Sequence, residues 1–172
     1  MLPLYQQIIT NQYQATLRML SDAVVQCPDE LWNEPIVELK FCQVAFHTLF
    51  FTDLYLGREE AGFREQEFHR QHAETFADYE ELEPVPQQHT YEKSFVELYL
   101  QFCREKANCV AAAETEESLQ QTLGFDWLEF SRAEVHFYNI RHVHHHAAQL
   151  SLFLRMRGYD GVRWRGSGWP TD

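Results

Sequence analysis

Apolar residues return at intervals of three and four along four long stretches of this chain, and little interrupts them. Leu4, Tyr5, Ile8, Ile9, Tyr13, Leu17, Leu20 and Val24 trace the first, and Val44, Ala45, Phe46, Leu49, Phe50 and Leu54 the second. Phe95, Leu98, Tyr99, Phe102, Cys109, Val110 and Ala113 trace the third, and Val135, Tyr138, His142, His146, Gln149, Leu150 and Phe153 the fourth. This is the period of an amphipathic helix. With only 7 Gly and 6 Pro among 172 residues, many short strands would lack turns to join them. Helices are therefore expected over 4–26, 38–56, 91–113 and 131–156.

The ends of these stretches carry their own signals. Cys27-Pro28-Asp29-Glu30 breaks the first, and Trp32 is expected to pack beneath the connection that follows. Thr90 is a suitable N-cap for the third helix, although Lys93 stands where a capping box would place Glu or Gln. Ser131 with Glu134 completes the capping signature for the fourth, and Gly158, preceded by Arg155 and Arg157, suits its end. A long charged connection spans 57–89, a second spans 114–130, and the tail 159–172, with Trp164 and Trp169, is expected to form an irregular strap. Four apolar stripes are buried most simply in an all-α four-helix bundle, a single domain over 1–172 with the long connection between helices two and three.

Four of the nine histidines fall within five positions, at His142, His144, His145 and His146. Residues four apart on a helix stand about 40° apart around the axis and ~6 Å apart along it, so His142 and His146 form a chelating pair. His144 lies about 200° around from His142 and faces elsewhere, whereas His145, about 60° to the other side, can stand at the edge of the same site. His47 sits inside the aromatic second stretch. Alone it reads as a core histidine with one hydrogen bond; beside the pair it becomes a third donor. Histidine-rich runs also arise on exposed helix faces, and spacing does not separate the two readings. His69 and His72 read as part of a solvated connector, and Cys103 as a buried inert thiol.

The formal charge of -12 argues against a nucleic-acid partner, because phosphate recognition rests on clustered Lys and Arg, which occur here only near the C-terminus. No apolar run reaches the ~18 residues of a membrane span. The segment 2–10, interrupted by Gln6 and Gln7 and lacking a basic start, does not read as a signal peptide. Cys27, Cys42, Cys103 and Cys109 make no close pair, which suits reduced thiols in a cytoplasm.

Three features, in order, resemble the DinB/YfiT-like metalloenzyme family. They are Pro28-Asp29-Glu30-Leu31-Trp32-Asn33, then His47 with its apolar-aromatic run, then His142-Val143-His144-His145-His146-Ala147-Ala148-Gln149-Leu150 leading to Leu154-Arg155-Met156-Arg157-Gly158. The last is similar to the family pattern HxxHHxxQL, whose first and third histidines are ligands and fall here on His142 and His146; the family's helix-two ligand falls on His47. The resemblance covers most of the chain but not 57–89. It implies a helical bundle, often dimeric, with a divalent metal, Zn or Ni, on three histidines. Relatives with assigned activities include thiol-dependent S-transferases, a maleylpyruvate isomerase and amide hydrolases.

The expected function is activation of a water or thiol for hydrolysis or S-transfer on a small-molecule substrate, the second reactant being a low-molecular-weight thiol in the transfer case. The alternative is a non-catalytic metal-binding or dimerising bundle with a role in stress. Gln149 is expected to orient a ligand or to bond to a neighbouring helix. Asp126 and Glu129 are the nearest carboxylates ahead of the fourth helix, offered as bases without being ranked as site residues.

Overall fold

A computed structural model of the chain describes residues 1–76 and 79–166. Helix accounts for 69% of the structure, and the strands form one two-stranded hairpin, which places the chain in the all-α class. In chain order the elements are α1 (Leu2–Gln26), α2 (Asp29–Trp32), the hairpin β1 (Pro35–Ile36) and β2 (Leu39–Lys40), α3 (Phe41–Leu56), α4 (Glu60–Arg64), α5 (Glu67–Gln71) and α6 (Ala73–Phe76). A 3-10 turn (Glu80–Leu82), α7 (Lys93–Ala113), α8 (Glu116–Gln120) and α9 (Arg132–Met156) follow. The helices α1 and α3 each pack against both α7 and α9.

The central element is α3. Fourteen of its sixteen residues are buried, and only His47 and Phe51, one turn apart, keep partial exposure. An apolar helix without a polar face belongs inside. It begins at Phe41 rather than at Glu38 because the hairpin takes the chain first: Ile36 pairs with Leu39 across Val37 and Glu38. Val37 has φ 59°, a left-handed conformation that is rare for a β-branched residue, and its side chain is exposed. Gln43 Oε1 then accepts from Lys40 N at 2.8 Å and caps the helix start.

In the third helix the expected cap and stripe both shift. It starts at Lys93 after Glu92, not after Thr90. The preceding residues are held extended: Trp32 Nε1 donates to Tyr91 O at 2.7 Å, Gln43 Nε2 donates to His89 O at 2.8 Å, and the Tyr91 ring stacks on Phe46 at 3.6 Å. Trp32 is buried under this connection. The buried face of α7 is Val96, Tyr99, Leu100, Cys103, Ala107 and Ala111, while Leu98, Cys109 and Ala113 are exposed. Small alanines mark the true contact face because they let the neighbouring helices come close. In α1 the core stripe likewise runs through Ile9, Tyr13, Thr16, Leu17, Leu20, Ala23 and Val24, leaving Leu4 and Ile8 exposed.

Helix α9 starts as its sequence indicates, with Ser131 Oγ accepting from Glu134 N at 3.3 Å. It ends where Gly158 takes φ 88° and Tyr159 N returns to Leu154 O at 3.0 Å. The tail then folds back, with Val162 N on Ser151 Oγ at 2.9 Å and Arg165 on Asp22 at 2.8 and 2.6 Å. Trp169 of the expected strap lies outside the described residues.

Near the start of α9, Arg132 is buried and finishes α3. Its guanidinium donates to Tyr55 O (2.8 Å), Leu56 O (2.9 Å) and Gly57 O (2.7 Å), and to Glu114 Oε1 (2.7 Å). A cation on these last carbonyls satisfies groups the helix cannot pair itself and suits its negative end. Burial favours a neutral Glu114, but hydrogen bonds from His136, Ser118 and Arg132 overcome it and hold the carboxyl down to about 2. Replacing Arg132 by Met strips both the carbonyls and this carboxylate. The expected loss is about 3–5 kcal/mol, read as a lower urea midpoint.

Candidate metal centre

Three imidazoles converge at the one seam that α3 leaves open. His47 comes from α3, and His142 and His146 come from adjacent turns of α9. Ring centroids are 5.5 Å apart for His47 and His142, 4.9 Å for His47 and His146, and 4.7 Å for His142 and His146. One nitrogen of each lies within 4.8 Å of one nitrogen of each of the others. Phe51, a turn below His47, closes one side against the rings of His47 and His142. The deepest residues of α9, Val143, Ala147, Leu150 and Leu154, fix the helix rotation, which leaves 142 and 146 at the edge of the packed face.

Hydrogen bonds decide which nitrogens are available. Gln149 Oε1 lies 3.0 Å from His146 Nδ1, so Nδ1 carries the proton and Nε2 the lone pair. Gln149 thus orients a histidine on its own helix. Nδ1 of His47 lies 2.6 Å from Glu81 Oε2. His142 Nδ1 is buried and has no hydrogen-bond partner among the described residues, so it is a nitrogen that a metal ion could use. The donor set fits a first-row divalent ion, for which imidazole is a common ligand.

Burial, reinforced by the neighbouring histidines, pushes His142 down to about 3. Burial also brings His146 down to about 4, against the opposing hydrogen bond to Gln149. Both rings are therefore neutral at pH 7 and keep the lone pairs a metal requires.

No protein-family model, curated protein or solved structure matches this chain.

Of the remaining histidines of the run, His145 stands at the edge of the cluster and His144 faces elsewhere. His145 is exposed with its ring against His146 at 4.9 Å, and His144 meets Trp164 edge-on at 5.4 Å. Asp126 and Glu129 are exposed. A groove of about 750 Å³ lined by Leu4, Tyr5, Ile8, Leu119 and Ala133 contains none of the three converging histidines.

The connection differs most from its expected character. Instead of solvated chain it forms α4, α5, α6 and the 3-10 turn, and His69 is buried rather than exposed. Its Nε2 lies 2.9 Å from Asp53 Oδ2, and its Nδ1 lies 3.1 Å from Tyr79 OH. Asp53, fully buried in α3, also accepts from Tyr99 OH at 2.9 Å and pairs with Lys106. Burial opposes its charge, but His69 and Lys106 prevail and hold the carboxyl below its usual range. His72 is half-buried beside Phe68 and Phe95. The available signal was Asp53 itself, since an acid within an apolar helix requires partners.

The depressed histidines set a pH dependence for the metal-free protein. Their folded values lie below the ordinary 6.5, so the folded state resists protonation. Their contribution is complete above about pH 6.5 and is lost as the pH falls through the folded values. Urea unfolding of the metal-free protein is expected to show falling stability between pH 7 and 4, and the decline should be shallower in His142→Leu.

Proposed function

We propose that this chain is a DinB/YfiT-like four-helix bundle that holds Zn or Ni on His47, His142 and His146 and acts as an enzyme on a small substrate. The observation that carries the reading is the convergence of three imidazole nitrogens within 4.8 Å from two helices distant in sequence. Two of those donors keep neutral rings through burial, and one has its far nitrogen fixed by Gln149. Bound there, a divalent cation supplies the acidity that turns a water or a thiol into a nucleophile near neutral pH.

The protein's own part is to bind and shield. Phe51 and the buried face of α9 exclude water from one side of the histidines, while the partial exposure of all three leaves a way in. Hydrolysis and S-transfer with a low-molecular-weight thiol are the two reactions this chemistry supports. A homodimer belongs to the same proposal, supported by the apolar exposure of Leu4, Ile8 and Phe137. So does a cytoplasmic setting, supported by four free cysteines; no helix is long and apolar enough to cross a membrane.

Protein purified without an affinity tag is expected to contain or take up close to one equivalent of Zn or Ni. A content under about 0.1 equivalent that does not rise on incubation would end the metal reading. His146→Ala should abolish uptake and lower the thermal midpoint of the loaded protein, whereas His144→Ala should do neither. Unchanged metal content in His146→Ala would remove it from the ligand set. A substrate screen with and without a small thiol then separates transferase from hydrolase.

A further inference from the structure

The buried acid nearest the three histidines comes from the long connection, and it touches the centre through a single atom. Glu81 sits in the 3-10 turn with its side chain 1% exposed, and its Oε2 lies 2.6 Å from His47 Nδ1. Its other oxygen, Oε1, is buried without a partner among the described residues. A carboxylate on a turn so close to the surface would ordinarily face water, since burying a charge is costly unless it is paired. The contact with His47 is what compensates its burial.

We infer that Glu81 is a positioning residue of the metal centre, holding His47 with its proton on Nδ1 and its lone pair on Nε2, so that the 57–89 connection completes the site. The inference rests on the three-histidine reading and extends it to a residue outside the donor set. An ionised carboxylate only accepts hydrogen bonds, so the proton between the two groups belongs to Nδ1 and leaves Nε2 as the ligating atom. Where a carboxylate holds a ligating histidine in this way, it fixes ring orientation and raises the ligand's basicity.

The turn is built to hold Glu81 in place before an ion arrives. The neighbouring Glu80 carboxylate accepts from Gln88 N at 3.0 and 3.1 Å and from His89 N at 3.2 Å, closing the segment into a loop. Gln43, one turn before His47 on the same helix, donates to Gln87 O and His89 O and fastens that loop to α3. Tyr79, at the left-handed φ of 47°, leads into the turn and is tied to the buried His69. The loop is thus attached to α3 at two successive turns, by Gln43 and by His47.

Two measurements on the full chain test this. In a competition titration with a chromophoric chelator, Glu81→Leu is expected to bind Zn²⁺ about 10–100-fold more weakly than wild type, and Glu81→Gln, which retains an accepting oxygen, should recover part of the loss. Affinity within about twofold of wild type in Glu81→Leu would overturn the inference. In metal-free protein at pH 8, long-range ¹H–¹⁵N correlations are expected to show the His47 proton on Nδ1, and to show that preference lost in Glu81→Leu. A wild-type proton on Nε2 would overturn the inference too. Should wild type take up no metal at all, the proposed function fails, while the tautomer measurement still decides what Glu81 does to His47.

Discussion

Burying Asp53 in the last turn of α3 dictates what must surround that helix. A carboxylate with no exposed surface is tolerable only if cations and donors come to it, and they come from two elements. Lys106 and Tyr99 arrive from α7, and His69 arrives from α5 in the connection. The arrangement therefore fixes the rotation of α7 against α3 and draws the connection onto the body. Aromatic packing follows the same path, with His69 stacked on Phe76 at 3.9 Å and edge-on to Phe63 at 4.5 Å. Arg132 does for the carbonyls that end α3 what this network does for Asp53, linking α9 to α3 through three carbonyls and to Glu114. With both in place α3 is enclosed except along His47 and Phe51, and the three-histidine cluster occupies that seam.

The parts of this arrangement legible in the sequence are those that repeat. Helical periodicity and caps locate α1, α3, α7 and α9 to within three residues at either end, since each long helix buries a face whose spacing is its own record. The pair at 142 and 146 is legible for the same reason, being a local consequence of helix geometry. Which residues face inward along α7 is less so. The periodic pattern there admits neighbouring rotations, and the alanines that decide between them are weak apolar signals. His47 as a third donor depends on α3 meeting α9, which spacing along either helix does not encode.

The connection was the least legible segment. Its charge density resembles that of solvated chain, and the twelve acidic or basic side chains from Arg58 to Glu83 conceal a few apolar anchors. Two of its polar residues turn inward onto α3, His69 to Asp53 and Glu81 to His47. Each is matched to a polar residue of α3, so the information that orders the connection is shared between segments. A polar residue inside the apolar helix is the half of that match a sequence displays. Asp53 and His47 are both such residues, and both turn out to receive a partner from 57–89.

Three buried polar clusters among the described residues differ in a way that separates support from site. Around Asp53, Oδ1 and Oδ2 both have donors; around Glu114, Oε1 meets Arg132 and His136 while Oε2 accepts from Ser118. These networks are closed, and each contains a lysine or arginine that balances its carboxylate. The histidine cluster is open. Of the four buried side-chain atoms without a partner among the described residues, His142 Nδ1 and Glu81 Oε1 belong to it, and among those residues no lysine or arginine pairs with its carboxylate. An unpaired acceptor in a low-dielectric setting is costly, and three imidazoles beside a carboxylate form a place where positive charge is stabilised. A divalent cation would meet both conditions at once, which is the physical ground for the metal-binding proposal. A fourth protein side chain would close the cluster and leave no open coordination position of the kind a catalytic metal needs.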